Sequence, residues 1–320
     1  MDNVALITGV TGQFGSYMSE LLLARGYTVI GLHRRASYNN LQNLTECLKN
    51  ENFTLEMGDL TDSGRIFELI YKYPVTEVYN FGGVSSHGEA NNIPQLAMDV
   101  NAMGCLKLLE AIRKKDTSIR FFQASSCEIF GSAKTVIQTE DTEINPVNIY
   151  GVSKAAAHHL VRMYSKTYGI RGINGILYNS SSPRRDRRFV TRKIADHVAS
   201  IRRGESPDKL VLNNLDFVHD FSDARSINKA IYLLMTTPYT DSDFILGSGI
   251  RCSMRDLCKA AYGIYGLDCS KYIAVSPKVE KQSQIYIANI DKVYYKTGWY
   301  YDSSVESMFY SMVEEGVTNG

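Results

Sequence analysis

The sequence predicts an α/β fold, a doubly wound parallel Rossmann sheet followed by a smaller C-terminal substrate-binding lobe. A buried strand over Val4–Thr8 leads through a glycine-rich turn into an apolar-periodic helix that ends near Leu23. Strand-like segments then alternate with helical patterns, as is typical of parallel sheets. We expect a dinucleotide-binding domain with the catalytic residues over 1–178 and a mainly substrate-binding lobe over 179–320, with some chain returning to the first domain.

The turn after the first strand reads Gly9-Val-Thr-Gly-Gln-Phe-Gly15. Glycines let the backbone pass close to a pyrophosphate, and the N-terminus of the next helix offers free N–H groups to the anion. Because strand, glycines and helix occur in that order, we interpret the turn as a dinucleotide-binding site rather than an unliganded loop. The residues expected to contact the cofactor here are Gly9, Thr11, Gly12, Gln13, Phe14 and Gly15.

The second strand, Thr28–Leu32, ends without the acidic residue that would bind the ribose 2′-hydroxyl of NAD. It is followed by His33, Arg34 and Arg35 instead. Two guanidinium groups suit a 2′-phosphate, since arginine binds phosphate through charge-assisted hydrogen bonds. The sequence therefore favours NADP over NAD as the cofactor, although the pair also fits two solvated surface arginines.

The remaining elements continue the alternation. Strand-like segments are Phe53–Met57, Glu77–Asn80, Arg120–Ala124 and Gly175–Tyr178, and helical patterns cover 62–73, 92–115, 150–169 and 191–204. Ligands bind at the carboxyl ends of the strands of such a sheet. The candidate residues at these ends are Asp59, Gly82, Gly83, Ser126, Glu128 and the segment from Asn179 to Arg185. We expect one crevice to collect them.

Tyr150 and Lys154 stand four residues apart on a predicted helix, so they share one face. The Lys154 ammonium should favour the phenolate of Tyr150 and make it a base near neutral pH. The spacing alone is weak, because the chain has 21 tyrosines and the pattern also fits an ordinary amphipathic helix. Together with Ser126, Glu128 and the glycine-rich turn, it indicates redox chemistry at a hydroxyl-bearing carbon.

A basic loop and helix start extend from Arg184 to Lys193. This cluster lies far from the cofactor turn in sequence and suits a second phosphorylated ligand, such as a nucleotide-diphosphate sugar. A solvated basic loop explains the same composition.

Composition excludes several other classes of function. The 35 basic and 34 acidic residues give no global attraction to nucleic acid or to an anionic membrane. No apolar run reaches the roughly 20 residues of a membrane span, and the N-terminus enters a strand directly, so we expect a cytoplasmic protein. The six cysteines form no Cys-x-x-Cys pair, which argues against a disulfide framework or a metal site.

Several short segments carry a resemblance to a known family. They are Ala5–Gln13, Gly58–Ser63, Gln123–Glu128, Tyr150–Lys154, Asn174–Leu177, Ser182–Arg185 and Phe189–Ile194. In this order they resemble the extended short-chain dehydrogenase/reductases, and within them the GDP-mannose 4,6-dehydratase family. The resemblance covers residue 3 to about residue 235, with a weaker match at Thr297-Gly-Trp299.

The resemblance implies a lyase that dehydrates GDP-mannose, or a close relative, through transient reduction of NADP. Tyr150, supported by Lys154, would take the proton of the sugar 4-hydroxyl, and Ser126 would hydrogen-bond that oxygen. Glu128 would remove the proton at C5, after which water leaves from C6. Glu128 is the discriminating residue, because dehydrogenases and epimerases of this superfamily usually lack it.

The resemblance also implies binding residues and an assembly. Further cofactor contacts are expected from Asp59, Leu60, Phe81, Gly82, Gly83, Ser85, Tyr150, Lys154, Ser180 and Arg185. Substrate contacts are expected from Ser85, Ser126, Asn179, Val190, Arg192, Lys193 and His219. Members of the family assemble as dimers or tetramers, so a homodimer or homotetramer is predicted.

The chain departs from the family pattern near both ligands. Phe14 replaces an aspartate, Val84 and Ser86 replace glutamine and histidine, and His219 replaces an arginine. The segment 279–284 stands where the family has an Arg-Pro-Thr-Glu-Val-Asp signature. Two alternatives therefore stay open: a dehydrogenase, reductase or epimerase of another nucleotide sugar, and a non-catalytic NADP-binding paralogue.

Overall fold

A computed structural model describes residues 3–37, 40–238, 243–276 and 285–318. The strands are β1 (Val4–Thr8), β2 (Thr28–His33), β3 (Phe53–Met57), β4 (Glu77–Asn80), β5 (Arg120–Ser126), β6 (Ile137–Gln138), β7 (Gly172–Leu177), β8 (Asn179–Ser181), β9 (Leu210–Leu212), β10 (Val218–Asp223), β11 (Asp243–Leu246), β12 (Arg251–Ser253), β13 (Ile273–Val275) and β14 (Ile287–Ala288). The helices are α1 (Gln13–Leu23), α2 (Ser63–Lys72), α3 (His87–Asn92), α4 (Pro94–Met98), α5 (Gly104–Lys115), α6 (Ile149–Tyr168), α7 (Val190–Arg202), α8 (Ala224–Thr236), α9 (Met254–Gly263), α10 (Asp291–Thr297) and α11 (Val305–Thr318).

Parallel pairing of seven strands forms the central sheet, in the order β11-β7-β5-β4-β1-β2-β3. The predicted doubly wound parallel sheet is therefore confirmed. Within this central sheet, β11 is the strand that the sequence did not predict. It comes from the C-terminal half of the chain and pairs with β7 from Asp243↔Asn174 to Leu246↔Leu177.

Both faces of this sheet are buried. Side chains alternate between the two faces along each strand, and helices cover each face. On β1, Ala5 and Ile7 pack with α1 and α8, while Val4 and Leu6 pack with α2, α5 and α6. Helices on both faces explain the nearly continuous apolar runs in the strands.

The predicted helix over 92–115 is interrupted. The predicted range begins at the last residue of α3 and then contains α4, a π-helical turn over Asp99–Met103, and α5. The π turn places the Asn101 side chain inward, where Nδ2 donates to the Val84 carbonyl at 3.1 Å and the Val84 N–H donates to Oδ1 at 2.9 Å. The interruption therefore ties this helical segment to the loop after β4.

The chain after β7 contributes a second, smaller sheet and three helices. Strands β8, β10 and β12 form a small sheet in which β8 and β10 are parallel and β10 and β12 antiparallel. Helices α7, α9 and α11 pack around their own core, which includes Ile194, Leu257 and Phe309. Among the described residues, no helix is long and apolar enough to cross a membrane. The division at residue 178 stays a prediction.

Candidate active site

The turn after β1 is shaped for a close approach of its backbone to a ligand. Gly9 has a φ of +63°, and a Cβ atom there would lie 2.7 Å from the backbone nitrogen of Gly82. Gly12 caps α1 without a side-chain hydrogen bond, and the first turn of α1 has no acidic residue. The N–H groups at this helix start are thus left for an anion, which fits the pyrophosphate of a dinucleotide.

Hydrogen bonds lock the neighbouring strand ends together. Thr8 Oγ1 donates to Asn80 Oδ1 at 2.5 Å and accepts the Gly82 N–H at 3.0 Å. Asn80 Nδ2 donates to Gln123 Oε1 at 2.7 Å. The carboxyl ends of β1, β4 and β5 are therefore held in register beside the turn.

The Gln13 side chain connects this turn to the start of the second layer. Its Nε2 donates to the Ser180 carbonyl at 3.1 Å, and its Oε1 accepts from Ser182 Oγ at 2.7 Å. Its neighbour Phe14 stacks on Phe81 with 5.8 Å between ring centroids. Both side chains therefore make structural contacts within the protein, in addition to the predicted cofactor contacts.

Tyr150 and Lys154 lie on the first turns of α6, as the spacing predicts. Lys154 is buried and its Nζ donates to the Ala124 carbonyl at 2.8 Å, while it lies 5.9 Å from the centroid of the Tyr150 ring. Burial lowers the pKa of Lys154 to about 8. Burial also raises the pKa of Tyr150 to about 12, although a hydrogen bond with Ser126 opposes this. Desolvation thus outweighs the opposing effect of Arg185 on the Tyr150 phenol, and the role of Tyr150 as a base near neutral pH stays a prediction.

Ser126 and Glu128 form the corner between β5 and α6. Ser126 is the last residue of β5, and its Oγ accepts the Glu128 N–H at 3.2 Å. The Glu128 carboxylate accepts at Oε2 from Asn148 Nδ2 at 2.9 Å. Asn148 also caps α6, since its Oδ1 accepts the Gly151 N–H at 2.8 Å. One short stretch of chain therefore places a hydroxyl and a carboxylate beside Tyr150.

Close packing supports this corner. A Cβ atom on Gly151 would lie 2.6 Å from the Glu128 carbonyl oxygen, so only glycine lets α6 approach the chain here. Cys127, between Ser126 and Glu128, is buried, and burial raises the pKa of its thiol well above the usual value. Cys127 is thus a packing residue beside the site and not a thiolate.

The predicted basic cluster divides into residues with different roles. The Arg185 guanidinium lies 3.5 Å from the centroid of the Phe189 ring, and burial lowers its pKa to about 10, against an opposing effect of Tyr150. Arg185 therefore faces the catalytic corner. Arg184 instead pairs with Glu20 and lies over the Tyr17 ring.

Arg192 differs from the prediction that it binds substrate. Its side chain is only 5% exposed, and it pairs with Asp196 at 2.7 Å and with Glu315 at 2.8 Å. It also donates to the Pro183 carbonyl. These contacts join α7 to α11, so the guanidinium is used inside the lobe. The adjacent Lys193 is exposed.

His219, which was predicted to contact substrate, is buried. Its ring is 4% exposed, stacks on Phe217 at 4.1 Å between centroids and meets Tyr286 edge-on at 5.2 Å. Its Nδ1 lies 3.3 Å from Asn179 Nδ2. Asn179, which is half-buried, is one residue through which His219 can act on a ligand.

The other predicted residues vary in exposure. Arg34, Arg35, Gly83 and Ser85 are exposed, Thr11, Asp59, Phe81, Gly82 and Val190 are half-buried, and Gly15, Leu60 and Ser180 are buried. The 279–284 segment lies outside the described residues. All six cysteines are free, and the described ranges contain no cluster of His, Cys, Asp and Glu suited to a metal.

Sequence reasoning missed two residues near the site, Asn101 and Asn148. Asn101 also donates to Ser153 Oγ at 2.9 Å, which links the π turn to α6. No sequence signal marks a π turn. Asn148, however, is a good N-cap residue directly before the helix that carries Tyr150, and this signal was available.

Comparison with known proteins agrees with this geometry. The profile of the family described as GDP-mannose 4,6 dehydratase matches residues 6–312. The chain belongs to this family. A GDP-mannose 4,6-dehydratase of Vibrio cholerae is 38% identical over 262 residues, which cover 80% of this chain and 70% of that protein. The GDP-mannose 4,6 dehydratase of Homo sapiens is 36% identical over 268 residues, which cover 81% and 72%.

The fold of this member of the GDP-mannose 4,6-dehydratase family also matches solved structures. The dTDP-glucose 4,6-dehydratase of Bacillus anthracis, solved in complex with NAD, superimposes with a TM-score of 0.86 at 22% identity. The match covers 99% of this chain and 97% of that one, and it supports the Rossmann architecture.

Proposed function

We propose that this chain is a nucleotide-sugar 4,6-dehydratase that converts GDP-mannose, or a close relative, to the GDP-4-keto-6-deoxy sugar with NADP. The observation that carries the proposal is the Glu128 carboxylate at the corner that also holds Ser126 and Tyr150. For oxidation of a sugar alcohol by a nicotinamide cofactor, the protein needs to supply only the Ser126 hydroxyl, the Tyr150 phenol and the Lys154 amine. A carboxylate at the same strand end adds a base for elimination.

The first step removes the proton of the sugar 4-hydroxyl. Tyr150 takes this proton, while Ser126 hydrogen-bonds the same oxygen and becomes a donor to the developing carbonyl. A nicotinamide cofactor held at the start of α1 would supply the hydride acceptor for C4 and the hydride donor for C6. Because burial raises the pKa of Tyr150 to about 12, its deprotonation requires positive charge in the crevice. Arg185 and Lys154 are the protein groups that provide it.

The second step is the elimination. A ketone at C4 acidifies the proton at C5, and Glu128 removes that proton. The C6 hydroxyl leaves as water with the proton that Glu128 took from C5, which leaves a double bond between C5 and C6. That bond then takes up the stored hydride at C6 and a proton from solvent at C5, and this proton replaces the one lost from the 4-hydroxyl. The net reaction is loss of one water, with the cofactor regenerated in each turnover.

We also propose specific roles for the binding residues. The first turn of α1 holds the cofactor pyrophosphate, and Asn179, Val190 and Lys193 contact the nucleotide sugar at the start of the lobe that spans 179–320. This division of labour rests on the open helix start at Gly12 and on the position of Lys193, exposed in the first turn of α7.

NADP is the proposed cofactor because Arg34 and Arg35 are exposed directly after β2, where the ribose of a dinucleotide lies in this fold. Titration calorimetry should show tighter binding of NADP⁺ than of NAD⁺. Arg34→Ala with Arg35→Ala should weaken NADP⁺ binding by about 10- to 100-fold and leave NAD⁺ binding nearly unchanged. Equal effects on the two cofactors would contradict this assignment.

A homodimer or homotetramer is proposed because apolar side chains are exposed on neighbouring helices. Leu96 lies on α4, and Met103 ends the π turn that follows α4. Val152 and Met163 lie on α6, which packs against α4. Sedimentation of the wild-type protein should show an oligomer. Val152→Glu with Met163→Glu should dissociate it, whereas Val275→Glu, a control on the exposed face of β13, should not. A wild-type monomer at micromolar concentration would contradict the proposal.

The decisive experiment incubates the purified protein with GDP-mannose and a catalytic amount of NADP⁺, followed by mass spectrometry. Loss of one water from the sugar nucleotide without net NADPH supports the dehydratase. Glu128→Gln is the matched control, and it should reduce the cofactor but release no water. If GDP-mannose is unchanged, a panel of other nucleotide sugars tests the remaining substrates.

A further inference from the structure

Asn148 joins the proposed base to the helix that carries Tyr150. Its Oδ1 accepts the Gly151 N–H at 2.8 Å, and its Nδ2 donates to Glu128 Oε2 at 2.9 Å. We propose that Asn148 is a positioning residue for the elimination step, because it holds the Glu128 carboxylate in place; this inference rests on the proposed function.

The two hydrogen bonds of Asn148 depend on each other. Capping of α6 occupies the amide oxygen and so fixes the orientation of the side chain. The amide nitrogen is then aimed at the carboxylate and donates a charge-assisted hydrogen bond. Aspartate and serine cap helices as well, but aspartate has no N–H to donate and the serine side chain is shorter. Asparagine is therefore suited to both contacts.

Glu128 is held at three points. Its N–H donates to Ser126 Oγ at 3.2 Å, its carbonyl oxygen packs against Gly151, and Oε2 accepts from Asn148. Among the described residues, Oε2 has a hydrogen bond and Oε1 has none, so Oε1 is the oxygen proposed to receive the C5 proton. Hydride removal from C4 depends on Tyr150 and Ser126 instead, so the loss of Asn148 should affect one step and spare the other.

The test compares Asn148→Ser and Asn148→Asp with the wild-type enzyme in single turnovers with NADP⁺ and GDP-mannose. Both variants keep a helix cap, so thermal unfolding should stay close to wild type. Absorbance of the reduced nicotinamide should rise at the wild-type rate and then persist. Incorporation of solvent deuterium at C5 and release of water should both slow by about 10- to 100-fold. Asn148→Asp should be slower than Asn148→Ser, because a second carboxylate would repel the Glu128 carboxylate from its position.

Two results would overturn the proposal. One is elimination at the wild-type rate in both variants, and the other is equal slowing of hydride removal and elimination. A wild-type protein that neither reduces NADP⁺ nor releases water from GDP-mannose refutes the proposed function instead. In that case a crystal structure of Asn148→Ser with NADP⁺ and GDP decides the matter: the Glu128 carboxylate should leave its wild-type position, and an unchanged position overturns the role of Asn148.

Discussion

The catalytic corner and the C-terminal lobe use their polar residues differently. At the corner, hydrogen bonds link Ser126 and Asn148 to Glu128 beside the helix that carries Tyr150. In the lobe, Arg192 and His219 are buried against partners inside the protein. The difference teaches that the chemistry is organised by one strand end and one helix start. We therefore expect the lobe to offer fewer exposed charged groups to a nucleotide, and Lys193 is one of them.

The largest expected effect removes the phenol of the corner. Tyr150→Phe should lower the rate of cofactor reduction by about 10²- to 10⁴-fold, because no other group is placed to take the 4-hydroxyl proton. Stopped-flow absorbance of the reduced nicotinamide measures this rate. A loss of less than tenfold, in a protein that unfolds like the wild type, would mean that the corner is not the site of oxidation.

The close packing of the corner predicts the next largest effect. Gly151→Ala places a Cβ atom 2.6 Å from the Glu128 carbonyl oxygen, which forces a shift and should cost about 1–3 kcal/mol of unfolding free energy and much of the activity. Gly263→Ala is the matched control at the end of α9, where a Cβ atom meets nothing within 4 Å. It should be neutral or stabilise by about 0.5–1 kcal/mol. Denaturant unfolding of both variants checks this difference.

Two adjacent cations sharpen the comparison within the lobe. Arg192→Met removes the ion pairs of its guanidinium with Asp196 and Glu315 and should cost about 1–3 kcal/mol of unfolding free energy, since both carboxylates keep part of their hydration. Lys193→Met should leave stability unchanged and weaken binding of the nucleotide sugar by about tenfold. Calorimetric unfolding and substrate titration distinguish the two. If Arg192→Met weakens binding without destabilising the fold, the sequence-based role of Arg192 would be restored.

The last comparison concerns Lys154 and the pH dependence of stability. Burial lowers the pKa of Lys154 from 10.5 to about 8 in the folded protein. Between these values the unfolded chain binds more protons at this residue, so Lys154 makes stability rise with pH in that window. Cysteines with raised pKa values act in the opposite direction. The difference in unfolding free energy between wild type and Lys154→Met should therefore shift in favour of wild type from pH 8 toward pH 10.5. A constant difference would contradict the lowered pKa.

Much of the sheet could be predicted from the sequence, because its strands are buried on both faces. The predicted bounds of β1, β3 and β4 agree with the structure, whereas β7 begins at Gly172, three residues before its predicted start at Gly175. The π turn at Asp99–Met103 was missed because an insertion into a helix preserves its apolar spacing locally.

The members of the site could be predicted better than their interactions. Motif spacing placed Tyr150 and Lys154 on one helix, and strand ends placed Ser126 and Glu128 nearby. The raised pKa of Tyr150 follows from burial, and the Gln13–Ser182 and Arg192–Glu315 contacts join distant parts of the chain. Neither burial nor long-range pairing is encoded in local spacing.

The position of β11 sets an order of events during synthesis of the chain. Until Asp243–Leu246 leave the ribosome, β7 forms an open edge of the sheet with unpaired backbone groups. Ile173 and Ile176 on that edge are buried only in the finished fold. A nascent chain that ends near residue 178 would therefore carry an unpaired strand edge that can pair with another chain.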